Sequence, residues 1–158
     1  VSSITHGHIR SVVACFYYLE FARQILEGTD KSEICRNLRE EFPRYVVEGG
    51  ADPHELEPFE RLLKEDITLL PEERIFSDGY VIHTLEASVW CLLNTQNYSE
   101  GVLKAVNLGE DTDTTAAVTG GLAGLLYGIE AIPDEWLSQI ARREDIEDLA
   151  ERMADFLA

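Results

Sequence analysis

The sequence predicts an all-α protein, an irregular multi-helix bundle of about seven or eight helices. Three observations carry this. Apolar residues recur at three- and four-residue spacing along most of the chain. The breaks between those runs hold helix-start and helix-stop residues, among them Asp30, Ser99, Asp111 and Pro133 before runs and Gly28, Gly49 and Gly50 after them. No stretch alternates apolar and polar residues as a half-buried strand does, and no repeat or low-complexity linker interrupts the pattern. At 158 residues the chain is long enough for one domain with its own core, so a single all-α domain over 1–158 is expected.

In order, Thr5 to Leu26 carries Ile9, Val12, Val13, Phe16, Leu19 and Ala22 at helical spacing, with Gly28 as its C-cap. His6 and His8 open this run. A His-x-His pair diverges on a helix, so each reads as a capping or solvent-facing residue. Asp30 with Glu33 makes a capping-box-like start for a helix to about Tyr45, with Ile34, Leu38, Phe42 and Tyr45 inward and Gly49-Gly50 ending it. Pro53 to Glu65 reads as a short acidic helix, and Ile67 to Asp78 as a loop around Pro71. Ser77-Asp78-Gly79-Tyr80 is a turn by composition. Val81 to Leu93 is a helix with Leu85, Val89, Trp90 and Leu93 facing the core, and His83 on it is structural. Ser99 to Asn107 is a short amphipathic helix. Pro133 starts another at N1, with Trp136 and Leu137 inward. Glu144 to Leu157 closes the chain with Ile146, Leu149, Met153 and Phe156 on one stripe.

One stretch carries chemistry: Gly109-Glu110-Asp111-Thr112-Asp113-Thr114-Thr115, which runs into a small-residue helix from Ala116 to Gly128. Two carboxylates and two hydroxyls lie within four residues, a hard-oxygen cluster of the kind Mg²⁺ or Mn²⁺ prefers. If the helix begins at Asp111, Asp111 and Thr114 share a face and Asp113 lies on its flank, so three oxygens could converge on one or two ions. The same residues are also ordinary helix caps, and acidic residues in a first turn suit the helix dipole. A cap needs only one oxygen. Gly120, Gly124 and Gly128 recur every fourth residue, each at a cost of roughly 1 kcal/mol relative to Ala inside a helix. Such a stripe is expected where another backbone approaches closely, which makes this helix a firm platform for a site. An EF-hand is excluded by counting, since Ala116 and Leu122 stand where Gly and Glu are needed. The Asp-x-Asp-x-Thr nucleophile motif of haloacid-dehalogenase-type phosphatases follows a buried strand, whereas Val102 to Leu108 has helical spacing. That motif also expects a second acidic motif far downstream, and only 43 residues follow Thr115.

Composition bounds the partners. Net charge is −17, which argues against nucleic acid and anionic membranes and requires any anionic substrate to be neutralised locally. Cys15, Cys35 and Cys91 are isolated and odd in number, as reduced intracellular thiols are. With no signal peptide and no apolar run near 20 residues, a cytoplasmic address is expected. The start at Val1, directly in helix-like sequence, suggests a processed or truncated product.

Asn107-Leu108-Gly109-Glu110-Asp111-Thr112-Asp113-Thr114-Thr115-Ala116-Ala117, followed by Thr119-Gly120 and Ala123-Gly124, resembles the C-terminal metal motif of the ADP-ribosylglycohydrolase family, which includes the dinitrogenase-reductase-activating glycohydrolases. The resemblance extends to Ser77-Asp78-Gly79-Tyr80-Val81, to Thr84-Leu85-Glu86-Ala87-Ser88-Val89-Trp90 and to Ile4-Thr5-His6, and corresponds to roughly the C-terminal half of a family enzyme. It implies the same all-α fold and hydrolysis of the glycosidic bond joining ADP-ribose to a protein side chain or small acceptor, with a dinuclear Mg²⁺ or Mn²⁺ centre. It also implies that Asp111, Asp113 and Thr114 are metal ligands and that the Gly79-Tyr80 turn and His6 lie near the ligand. Glu110 stands where many relatives have Gly and is implied to be a rim residue, and His83 stands where relatives often carry an acidic residue. The family's Thr-Asp-Asp motif occurs nowhere in this sequence. The resemblance therefore implies that the general acid and base, and further metal ligands, come from a missing N-terminal half or a second copy of the chain. The isolated chain is then expected to be inactive. A non-catalytic relative that binds ADP-ribose or serves a structural role, as the family's jellyfish lens crystallins suggest, and an unrelated helical interaction domain are the alternative readings.

Overall fold

The computed structural model describes residues 2–157, and they are arranged as the all-α pattern requires. Eight α-helices occur among them: α1 (Ile9–Leu26), α2 (Lys31–Glu48), α3 (Glu60–Leu63), α4 (Val81–Leu93), α5 (Tyr98–Asn107), α6 (Thr112–Tyr127), α7 (Asp134–Leu137) and α8 (Arg143–Leu157). No strand is present among the described residues. Short 3₁₀ turns link them, at Ser2–Ile4, Pro53–Phe59, Ile67–Leu69, Glu72–Arg74 and Ile129–Ala131.

Several expected boundaries move, each for a local reason. The first helix starts at Ile9 rather than Thr5, because His8 adopts extended backbone as N-cap and its Nδ1 accepts from the Arg10 N–H at 3.2 Å. Gly28 follows the cap in the left-handed region at φ 82°, where its N–H donates to Ile25 and that of Thr29 to Gln24, closing the helix end. The buried face of α1 is Val13, Ala14, Tyr17, Phe21, Ala22 and Ile25, so Phe16 and Leu19, expected inward, remain exposed. Asp30 caps α2 through the Ser32 N–H at 2.9 Å, and the helix runs past Tyr45 to Glu48. The stretch expected as one acidic helix from Pro53 is a 3₁₀ run followed by the single turn α3, and the expected loop after Ile67 holds two 3₁₀ turns. Pro133 caps α7 rather than occupying its first turn.

The core is organised on α4. Thr84 to Leu93 are all buried, so Thr84, Glu86 and Ser88 join the expected Leu85, Val89, Trp90 and Leu93 in the interior. It packs against α1, α5 and α6, and α6 packs most closely on α5. Lys31 closes the C-terminal end of α4, its ammonium donating to the Leu92 carbonyl at 3.0 Å and also to Thr95. The Trp90 indole donates to Leu70 at 3.0 Å. Gly120 serves this packing differently from expectation. A Cβ there would meet the Tyr98 hydroxyl at 3.3 Å and Val102 Cγ2 at 3.6 Å, so it makes room for side chains of α5 rather than for a backbone. Gly128 lies outside the helix as its C-cap, at φ 82°. The apolar stripe of α8 is real, yet Ile146, Leu149, Met153 and Phe156 are all exposed. No helix among the described residues is long and apolar enough to cross a membrane.

One buried ion pair lies at the approach to the turn before α4. Glu86 is buried and meets the Arg61 guanidinium at 3.2 Å, while Arg61 also donates to the Arg74 carbonyl at 2.6 Å. Burial pushes the Glu86 carboxyl above its usual range despite Arg61. The folded chain thus holds a proton there more tightly than the unfolded chain, and this contribution is present at low pH and lost as pH rises through the folded value. Arg61→Ala is expected to destabilise by about 3 kcal/mol at neutral pH, by stranding a buried carboxylate. Glu86→Gln is expected to flatten the fall in stability as pH rises above about 4.3, the ordinary glutamate value. Urea unfolding across pH reads both.

Candidate functional site

The acidic loop is held by the turn that precedes α4. Ser77 is buried, and its carbonyl accepts from the Asp111 N–H at 2.9 Å while its hydroxyl donates to the Gly109 carbonyl at 3.0 Å. These two bonds, thirty-odd residues apart in sequence, put Gly79 under Asp111. A Cβ built on Gly79 would lie 2.6 Å from Asp111 Oδ2, and Gly79 has φ 79°. Only glycine suits both the conformation and the approach.

α6 begins at Thr112, one residue later than the alignment of donors on one face assumes, and Asp111 is its N-cap. Its carbonyl accepts from the Thr115 N–H at 3.2 Å, but its side chain makes no capping hydrogen bond. The half-buried Asp111 carboxylate is therefore not spent on the helix, unlike those of Asp30, Asp52 and Asp66, which all cap. Asp113 and Thr114 sit exposed in the first turn. Thr115, next along, is fully buried with an unpaired hydroxyl, and its carbonyl accepts from Thr119 at 2.8 Å and Ser88 at 3.3 Å. That anchors the first turn of α6 on α4. The donors are hard oxygens, the right kind for Mg²⁺ or Mn²⁺, but they are few. Among the described residues no group of three or more His, Cys, Asp or Glu is placed to hold a metal.

The remaining candidates divide between two concavities. His6 and Gly79 line a cavity of about 670 Å³ between α1, α4 and α6. Glu110 lines a smaller one of about 300 Å³ with Glu72, Glu73, Phe76 and Ser77. Tyr80 stands on the surface between the loop and α1, with its hydroxyl 3.4 Å from Arg10 Nη1; Arg10 Nε donates to Glu55 at 3.1 Å. His83 is structural, as expected. Its Nδ1 lies 2.9 Å from Asp78 Oδ1, which also accepts the Tyr80 N–H at 3.0 Å, and its ring lies against those of Tyr80 and Phe76. These contacts hold the Asp78 carboxyl below its ordinary range. Arg10 escapes sequence reading because its partners Glu55 and Tyr80 lie 45 and 70 residues away.

Glu110 has φ 55°, a left-handed backbone that a side chain pays for, directly after Gly109 at φ 86°. This explains why a glycine belongs there in the motif that the loop resembles.

The sequence profile of ADP-ribosylglycohydrolases matches residues 1–157. The chain belongs to the ADP-ribosylglycohydrolase family. An ADP-ribosylarginine hydrolase of Pseudomonas putida is 32% identical over 155 residues, 98% of this chain and 38% of that protein. One from Serratia proteamaculans is 48% identical over 81 residues, 51% of the chain and 22% of its own length. The ADP-ribosyl-[dinitrogen reductase] glycohydrolase of Rhodospirillum rubrum is 29% identical over 137 residues, 87% of the chain and 40% of that protein. The chain thus spans well under half the length of these family members.

Two substitutions in the loop system are expected to act in opposite directions. Gly79→Ala should destabilise by about 1–2 kcal/mol, from the left-handed backbone and displacement of Asp111, while Glu110→Gly should stabilise by up to about 1 kcal/mol. Urea midpoints at constant m-value read both.

Proposed function

We propose that this chain serves metal-dependent hydrolysis of the glycosidic bond between ADP-ribose and an arginine side chain, on a protein or a small acceptor. Asp111, Asp113 and Thr114 would supply part of a Mg²⁺ or Mn²⁺ centre. The observation that carries this reading is the Asp111 carboxylate, placed over Gly79 at a helix N-terminus and making no cap. The family membership and the names of the Pseudomonas putida and Rhodospirillum rubrum relatives supply the reaction class and the acceptor.

Each residue has a task in this reading. Asp111, Asp113 and Thr114 would hold the ion by oxygen. A Mg²⁺ or Mn²⁺ ion held there would supply Lewis acidity toward ribose and water oxygens. The N-terminus of α6 adds positive potential beside the diphosphate, which matters on a chain of net charge −17. Gly79 lets the ligand meet backbone closely, and Tyr80, 40% exposed, offers its ring to it. His6 borders the ligand on the side of the large cavity, and Glu110 on the other. In the reaction water adds at the anomeric carbon, the carbon–nitrogen bond breaks, and the leaving guanidine takes up a proton.

Three oxygen-bearing side chains are too few to hold two octahedral ions firmly, and water must supply the rest, so the isolated chain should bind metal weakly and turn over nothing. Calorimetric titration of the 158-residue chain with Mn²⁺ is expected to show weak binding that Asp113→Ala abolishes. Turnover of ADP-ribosylarginine by the isolated chain would refute the division of the site. Absence of any Mn²⁺ binding would return Asp111 and Asp113 to surface residues of a non-catalytic relative.

A further inference from the structure

The smaller cavity, beside Glu110, has a lining that the reaction above leaves mostly unassigned. Ile75, Phe76 and Leu108 give it an apolar part, and Glu72, Glu73 and Glu110 three carboxylates, with no Lys or Arg in the lining. At about 300 Å³ it has room for one long side chain rather than a whole ligand. Glu72 is matched by Lys104 at 3.4 Å. Glu73 and Glu110 are exposed, and their side chains make no hydrogen bond or ion pair among the described residues. Two carboxylates of the cavity are thus left for a cation from outside.

Phe76 narrows the choice of cation. Its ring already takes one guanidinium, that of Arg61, which lies over it at 5.8 Å from the centroid. The residue is nevertheless 51% exposed, an aromatic surface left open beside carboxylates. Arg61 is itself paired with Glu86 at 3.2 Å, so its charge is already matched when a second cation arrives. A metal ion fits poorly, because no three His, Cys, Asp or Glu among the described residues are grouped to hold one. A guanidinium fits. It is planar, weakly hydrated and stacks on aromatic rings, and its fork of N–H donors can meet carboxylates spread around the ring. The aliphatic stem behind it would lie on Ile75 and Leu108.

We propose that this cavity holds an unmodified arginine side chain of the acceptor polypeptide, close to the arginine that carries ADP-ribose. The acceptor role rests on the hydrolase reading above, and the link is spatial. Glu110 directly precedes Asp111, and Ser77, which also lines the cavity, binds both Gly109 and Asp111. The preferred substrate is then a polypeptide whose modified arginine has another arginine beside it, since complementary charge selects partners.

The test is an NMR titration of the 158-residue chain, without metal, with N-acetyl-arginine N-methylamide. Binding is read on the Phe76 ring and on the backbone amides of Ile75, Ser77 and Leu108. The lysine analogue carries the same charge and measures what a net charge of −17 attracts without discrimination. The citrulline analogue keeps the shape and lacks the charge. Saturable shifts are expected at the cavity, with arginine bound about threefold more tightly than lysine and citrulline not at all. Phe76→Leu should abolish the preference for arginine over lysine, and Glu73→Gln and Glu110→Gln should each weaken arginine binding about twofold. Equal affinity for the arginine and lysine analogues, arginine binding unaltered by Phe76→Leu, or shifts that map away from the cavity would each overturn the proposal. With Mn²⁺ present, a peptide with arginines on both sides of an ADP-ribosylarginine should bind more tightly than the same peptide with citrullines there, and no difference would remove the acceptor role. Mn²⁺ calorimetry separates the two readings. Metal binding without arginine binding leaves the metal site standing and removes the cavity's role; arginine binding without metal binding leaves an arginine site and removes the reaction centre beside it.

Discussion

The burial of α4 on every side is the constraint on which the rest of the arrangement depends. A helix with no solvent face from Thr84 to Leu93 must be wrapped by α1, α5 and α6, and its polar groups need partners inside. Glu86 finds Arg61, Ser88 finds the Thr115 carbonyl, and Lys31 takes the carbonyls at the C-terminal end. Its N-terminal end is the turn that holds the acidic loop. The candidate site is therefore built on a helix held from all sides, which is where donors can be placed to a fraction of an ångström.

The loop itself shows how a site differs from a cap. Asp30, Asp52 and Asp66 each accept a backbone N–H at a helix start. Asp111 occupies the same position and does not, because the Ser77 carbonyl takes its N–H and sets its backbone at φ −87°, ψ 68°. The carboxylate is then directed over Gly79. Left-handed backbone at Gly109 and Glu110 is the strain that makes this possible.

Charge divides the surface in a way that fits this arrangement. Ion pairs between acidic and basic residues cover α1, α2 and α8, mostly at exposed i,i+3 and i,i+4 positions of small energetic weight. Against that acidic background the groove beside Gly79 is lined by no Asp, Glu, Lys or Arg.

The helices were legible in the sequence because they depend on neighbours three and four residues away. α4 spans Val81–Leu93 as its spacing predicts, and the capping residues Asp30 and Gly28 act as their types require. The loop's hard oxygens and the Gly79 turn were legible as chemistry, though not as geometry. Which faces are covered was not legible. Phe16, Leu19 and the stripe of α8 have core-like spacing and lie exposed, because a periodic pattern states that a face seeks a partner, not whether this chain provides one. The glycine at position 120 accommodates Tyr98 and not a backbone, and Asp111 is released from capping by Ser77, 34 positions away. Local periodicity and capping were thus determined by the sequence alone. The pairing of distant segments, and with it the direction of each functional side chain, was decided by tertiary packing, since it depends on contacts that no short stretch encodes.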